Sequence, residues 1–234
     1  MDFKFLRKAV FHHLEADHLL SVFLSGYVTN KIFIDIGGNK PYNAISMPLL
    51  KKQWEGILVE PIPTNAQEFR DEGWPIVEEV ALTSPCKSEA GFARFYLAGG
   101  NEGPHSSLNK QQIDPRSNPN KEIRVQLATL EELLTKNNIK DIGLLSIDTE
   151  GTELDVLKGL DFSSHKVELI LIEDWQRSSK LHRFLVKNGY KIFIRSGFNS
   201  WYLPKNSELK TPILGYLKLM KKIYISSHIK YLKH

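Results

Sequence analysis

Apolar positions repeat along the chain with two different periods. Short apolar runs bounded by glycine, proline or an acid alternate with stretches whose apolar residues recur every three or four positions. That alternation predicts strands joined by helices, hence a mostly parallel, doubly wound sheet covered on both faces. "KIFIDIGG" (31–38), "GILVEP" (56–61) and "PIVEEVAL" (75–82) read as the first three strands. "IGLLSID" (142–148) and "VELILIED" (167–174) are apolar throughout and end in acids, the pattern of central strands buried on both sides. "YKIFIRSGFNSWYLP" (190–204) places two apolar runs around Ser-Gly and Asn-Ser, a hairpin signal that makes the last strand antiparallel.

Helices are expected between these runs. Thr64 to Gln67 has capping-box spacing after Pro63, and Thr129 to Glu132 has the same spacing at the head of "TLEELLTKN". "GTELDVLKG" ends on Lys158-Gly159, a basic last turn and a glycine cap. "GFARFYLAGG" alternates like a strand, and the polar stretch after it, with three prolines up to position 122, is long enough to be a functional loop. The layout is an N-terminal helical segment (1–30), one α/β domain (31–204) and a C-terminal extension (205–234).

Composition changes this picture little. The chain has 234 residues, 41% hydrophobic and 25% charged, enough for one sizeable core. No apolar run approaches the ~20 residues that cross a bilayer, and the N-terminus carries Glu15 and Asp17 inside its apolar stretch, unlike a secretory signal. The single cysteine, Cys86, fits a reducing, cytoplasmic setting. Charge is uneven. From position 204 onward seven lysines stand against Glu208 alone, so the extension is basic and the body slightly acidic. No nucleic-acid partner is expected.

The chemistry lies at the strand ends. Ligands of doubly wound sheets sit beyond the carboxyl ends of the strands, where strand order reverses. Four strand ends here are acidic: Asp35, Glu60, Asp148 and Glu173-Asp174. "DIGGNK" (35–40) gives a tight glycine turn after the first strand, and Glu60, at the end of the second, suits ribose hydroxyls. The pair points to an adenosine-containing ligand. A dinucleotide fingerprint needs three spaced glycines, whereas Gly37 and Gly38 are adjacent and no glycine follows before Gly56. An acidic pocket suits the sulfonium and ammonium of S-adenosylmethionine better than a pyrophosphate.

At this point "FIDIGGN" (33–39), "LVEPIPTN" (58–65), "VALTS" (80–84), "HSSLN" (105–109), "VQLATLEELL" (125–134) and "LLSIDTEGTELDVLKG" (144–159) occur in an order that resembles FkbM-type methyltransferases. The resemblance implies a Rossmann-like class I methyltransferase fold and S-adenosylmethionine as donor. It also implies O-methylation of a saccharide or related natural product, as in polysaccharide biosynthesis. By the same likeness Asp35, Gly37 and Asn39 hold the methionine part, Glu60 the ribose, and Ala81 lies near adenine. The chain departs from the family in having Pro41 for a common glycine, Ser146 for a common lysine, and Lys40 beside a cationic ligand.

For methyl transfer to a hydroxyl, Asp148 and His105 are the candidate bases, with Glu150, Ser106 and Asp174 as candidate acceptor contacts. Glu150 and Glu153 also sit at a helix start, where anions are favoured, and for Glu153 that structural role is the expectation. Asp148, Glu173 and Asp174 offer Mg²⁺ an oxygen set, as in some other methyltransferases of this fold; the family likeness does not require it. His12, His13, Asp17 and His18 read as a solvated helix face rather than a metal site. In the extension, Ile213, Leu217, Met220 and Tyr224 keep helical spacing among lysines. That stripe suits packing on the domain or on a second copy of the chain, and also peripheral contact with an anionic membrane. The residues leave two other readings: a nicotinamide-dependent oxidoreductase, or a non-catalytic module binding anionic surfaces through the tail.

Overall fold

The computed structural model describes residues 28–98, 105–113, 121–174, 178–196 and 198–208. The N-terminal helical segment up to position 27, its histidine face, parts of the long polar loop and the amphipathic stripe of the extension lie outside the described residues.

The expected strands form where the apolar runs stand. They are β1 (Ile32–Ile36), β2 (Glu55–Val59), β3 (Ile76–Glu78), β7 (Asp141–Ile147), β8 (Lys166–Glu173), β9 (Tyr190–Ser196) and β10 (Asn199–Pro204). They make one seven-stranded sheet in the order β3-β2-β1-β7-β8-β10-β9. β1 pairs in parallel with both β2 and β7, and β7 with β8, while β10 runs antiparallel between β8 and β9. Strand order therefore reverses at β1 and β7. The antiparallel strand is the hairpin partner expected from "SGFNS".

Both faces of the sheet are covered. Leu130, Leu133 and Leu134 of α4 (Leu130–Lys136), Val156 and Leu157 of α5 (Glu153–Lys158), and Leu181 and Leu185 of α6 (Ser179–Lys187) pack on Ile34, Ile36, Leu145 and Ile147. On the other face Leu49 of α1 (Met47–Leu50) and Phe69 of α2 (Pro63–Asp71) pack with Trp54, Trp74 and Trp201 on Phe33, Leu58 and Leu144. Alternation of side chains along each strand supplies both cores from one apolar run.

Two local expectations are corrected, and the glycine cap of α5 forms for a reason of packing. "PIVEEVAL" is not one strand: β3 ends at Glu78, and Ala81–Leu82 forms β4, pairing in parallel with Leu127 and Ala128 of β6 (Lys121–Ala128). The acids Glu78 and Glu79 break the apolar run at that bend, and Lys136 and Asn137 hold the Glu78 carboxylate. The short α3 (Pro85–Ser88) leads from β4 to β5 (Phe92–Leu97), which pairs with β6 and completes a small second sheet over its own apolar cluster. The capping box foreseen at Thr64 does not form. Pro63 takes the first helical position, for which its fixed φ is suited, so Ile62 is the cap and Thr64 is already inside α2. Gly159 caps α5 at an ordinary φ of −80°, so left-handed freedom is not its use. A Cβ there would lie 2.6 Å from the Thr83 carbonyl oxygen, and close packing demands the glycine. The box at Thr129 forms as expected, with Thr129 N–H donating to Glu132 and Glu132 N–H donating to Thr129.

Candidate functional site

Strand register brings the acids together. Ile36 stands opposite both Val59 and Ile147, and Ile147 opposite Ile172. The next residue of each strand therefore shares one row: Gly37, Glu60, Asp148 and Glu173. Main-chain hydrogen bonds extend to this row, from Gly37 N–H to Val59 O (2.9 Å) and from Asp148 N–H to Ile36 O (2.9 Å). Gly37 has φ +86°, and a Cβ on it would sit 1.7 Å from the Asp148 carbonyl oxygen. Glycine is thus required twice over, by conformation and by the closeness of the β7 end.

On the β2 side, Glu60 is buried and spans two turns. Its Oε2 accepts from Asn39 N–H at 2.8 Å and its Oε1 from Ile62 N–H at 2.9 Å. Burial pushes its carboxyl up to about 7 against these bonds. Asn39 holds a left-handed φ of +55°, which asparagine tolerates better than most residues. Asp35 lies two residues below the row and is buried. Its Oδ2 accepts from both the backbone N–H (3.0 Å) and the hydroxyl (2.6 Å) of Ser46. Burial raises the Asp35 carboxyl, against hydrogen bonds from Ser46 and Ser146. Ser146 thus meets Asp35 from the neighbouring strand. Ser46 was missed in the sequence because a lone serine ten residues past a strand carries no signal. Lys40 turns to Glu68 of α2 (2.6 Å), which ties up its charge. Ala81 is buried in β4.

On the β7–β8 side, the Asp148 carboxyl meets that of Glu173. Burial first, then the charge and hydrogen bond of Glu173, hold Asp148 well above the usual carboxylate range. Its Oδ1 is shut off from solvent and has no hydrogen-bond partner. Glu150 and Gly151 take consecutive left-handed conformations (φ +53° and +101°), and this turn swings Glu150 back to the row. Oxygens of Asp148, Glu150 and Glu173 all lie within 4.8 Å of one another. His105 reaches the same place from the loop after β5, its Nδ1 2.8 Å from Glu150 Oε1. Ser107 fastens that loop: its hydroxyl donates to the Glu150 carbonyl (3.1 Å), and its main chain bridges Tyr96. Ser106, one residue earlier, instead accepts from Ala98 N–H and is buried. The sequence offers the adjacent serines without distinguishing them; the bridge to β5 decides.

Glu153 holds the turn rather than facing the row. Its Oε1 accepts from Thr149 N–H and Gly151 N–H, the helix-start role expected of it, and burial pushes its carboxyl up to about 7. Asp174 points away from Glu173. Its Oδ1 accepts from Ser178 N–H (2.8 Å), and its Oδ2 lies 3.9 Å from Arg195. Neighbours on a strand face opposite sides, so the expected trio Asp148, Glu173 and Asp174 does not converge and Glu150 stands in for Asp174.

A ligand carrying positive charge fits this row. Three carboxylates crowd it, one buried oxygen lacks a donor, and the bare glycine backbone allows close approach. The sequence profile of the methyltransferase FkbM domain matches residues 35–192. No protein of curated function matches the chain. The profile match covers more than half of the chain and every residue of the row, so the chain belongs to the FkbM methyltransferase family, whose membership implies S-adenosylmethionine as methyl donor.

Proposed function

We propose that the chain is an O-methyltransferase of class I fold that methylates a hydroxyl of a saccharide or related natural product. The observation that carries the reading is the row of Gly37, Glu60, Asp148 and Glu173 at the point where strand order reverses. S-adenosylmethionine, when bound, supplies an electrophilic methyl on a sulfonium. The main chain of Gly37 to Asn39 cradles its methionine part, with Asp35 bracing the turn through Ser46. Glu60 keeps each oxygen on one backbone N–H and has lone pairs left for the ribose hydroxyls. Ala81 borders adenine.

The acceptor hydroxyl lies over Asp148 and Glu150. The donor would supply its sulfonium methyl group to that oxygen, and His105 would take the hydroxyl proton. Glu150 orients the imidazole through Nδ1. Ser106 supports the loop from beneath and Asp174 braces the β8 end, so neither is assigned an acceptor contact. Titration calorimetry with S-adenosylmethionine and with NAD tests the reading. Binding of the first and not the second is expected; the reverse would overturn it in favour of an oxidoreductase.

A further inference from the structure

We infer that Asp148, Glu150 and Glu173 form a binding site for a hard divalent cation of the Mg²⁺ or Mn²⁺ type at the acceptor side of the row. The inference rests on the proposed acceptor side. Three carboxylates contribute oxygens within 4.8 Å of one another. Such convergence is repulsive in a site withdrawn from water, because Coulomb energies grow as the effective dielectric falls. Among the described residues no lysine or arginine pairs with any of the three, and His105 on Glu150 is the one basic partner. A second observation is independent of the clustering. Asp148 Oδ1 is closed to solvent and accepts no hydrogen bond. Buried carboxylate oxygens without a donor are rare, and a coordinated cation is one way to satisfy them.

The donor set selects the ion. All three ligands are carboxylates, with no thiolate, which suits Mg²⁺, Mn²⁺ or Ca²⁺ rather than Zn²⁺. His105 against Glu150 is the hydrogen bond that orients a ligating carboxylate from outside. Three protein oxygens fill about half of an octahedral shell. The rest of the shell would be left to water or to oxygens of the acceptor.

The test uses the full chain, stripped with EDTA and dialysed, titrated with MnCl₂ by calorimetry and by the loss of free Mn²⁺ paramagnetic signal. One Mn²⁺ per chain is expected, displaced by MgCl₂. Glu173→Gln should weaken it at least ten-fold, while Glu72→Gln, on the exposed end of α2, should not. Glu173→Gln also relieves repulsion in the metal-free protein, so its melting temperature confirms that the weakened binding is not unfolding. No saturable binding up to millimolar Mn²⁺, or binding indifferent to Glu173→Gln, overturns the inference. Calorimetry with S-adenosylmethionine in EDTA separates the two ideas. Donor binding without Mn²⁺ binding sinks the cation site alone, and Mn²⁺ binding without donor binding sinks the methyl-transfer reading alone.

Discussion

Glu60 shows how a single side chain serves fold and ligand together. Each oxygen already accepts a backbone N–H, from Asn39 and Ile62. Truncation to alanine would orphan both donors inside the protein, at about 1–3 kcal/mol each, and blur any effect on binding. Glu60→Gln is the cleaner probe. It keeps the shape but turns an amide N–H₂ toward a backbone donor and removes the charge. S-adenosylmethionine affinity should fall roughly ten- to a hundred-fold, the equivalent of ~1.5–3 kcal/mol for a charged acceptor; unchanged affinity in calorimetry removes Glu60 from the ribose contact. Asp148 makes an opposite bargain between stability and activity. Its ionised form is disfavoured by burial and by Glu173, so Asp148→Asn should melt at a higher temperature than the parent at pH 8. The same change removes a carboxylate beneath the acceptor hydroxyl and should lower turnover with donor affinity little altered. His105→Ala should cut turnover by roughly 10²–10⁴ without a gain in melting temperature. Full activity in the histidine variant would pass the base role to another group.

Among the elements, those with a local cause were legible and those with a distant cause were not. The Thr129 box forms because both partners lie within one turn. Thr129→Ala should cost about 1 kcal/mol in urea unfolding, since the Glu132 N–H at the head of α4 loses its hydroxyl acceptor. α4 carries Leu130, Leu133 and Leu134 into the core behind β7, so the variant should lower the unfolding midpoint without a change in slope. The same spacing at Thr64 gave nothing because Pro63 sets the start of α2 two residues earlier than that box requires. β4 was hidden because its partner, β6, pairs with it across 46 positions of sequence, Ala81 with Leu127. Gly159→Ala separates the two kinds of glycine. A left-handed cap would be strained by φ, but this one clashes with Thr83 O and should destabilise the packing of α5.

For the molecule as a whole, the acids at the sheet edge set the response to pH. Glu60 and Glu153 rise from 4.5 to about 7 through burial, and Asp35 and Asp148 rise as well. Between those values the folded chain keeps protons that the unfolded chain has released. Stability therefore falls as pH rises from about 4.5 through 7, by roughly 3 kcal/mol at most for each of the two glutamates. His165 acts in the same direction. Burial lowers it, but the hydrogen bonds to Glu131 and to the Lys140 carbonyl leave it raised above 6.5, and that contribution is lost as pH climbs through its folded value. Asp155, lowered despite partial burial by Lys87 and Lys158, loses its contribution only in more acid solution. Urea midpoints should be higher at pH 5.5 than at pH 8, with the gap narrowed in Glu153→Gln; equal midpoints would contradict the burial of these acids. Among the described residues no helix is long and apolar enough to cross a membrane.

What the sequence determined by itself was whatever depends on short range. Apolar runs made the strands, the hairpin residues made the last strand antiparallel, and acids at four strand ends foretold a charged edge. Strand polarity and the reversal at β1 then put those ends on one side. Three features needed the tertiary structure. Register decided that Glu60, Asp148 and Glu173 stand level, because a row is a relation among strands and not a property of any one. The turn at Glu150 and Gly151, with Ser107 holding its carbonyl, decided that Glu150 and His105 meet across 45 positions of sequence. Side-chain alternation at the end of β8 decided that Asp174 goes to Ser178 and Arg195 rather than to the row. Adjacent letters carry no direction, and it is direction in space that divides a brace from a ligand.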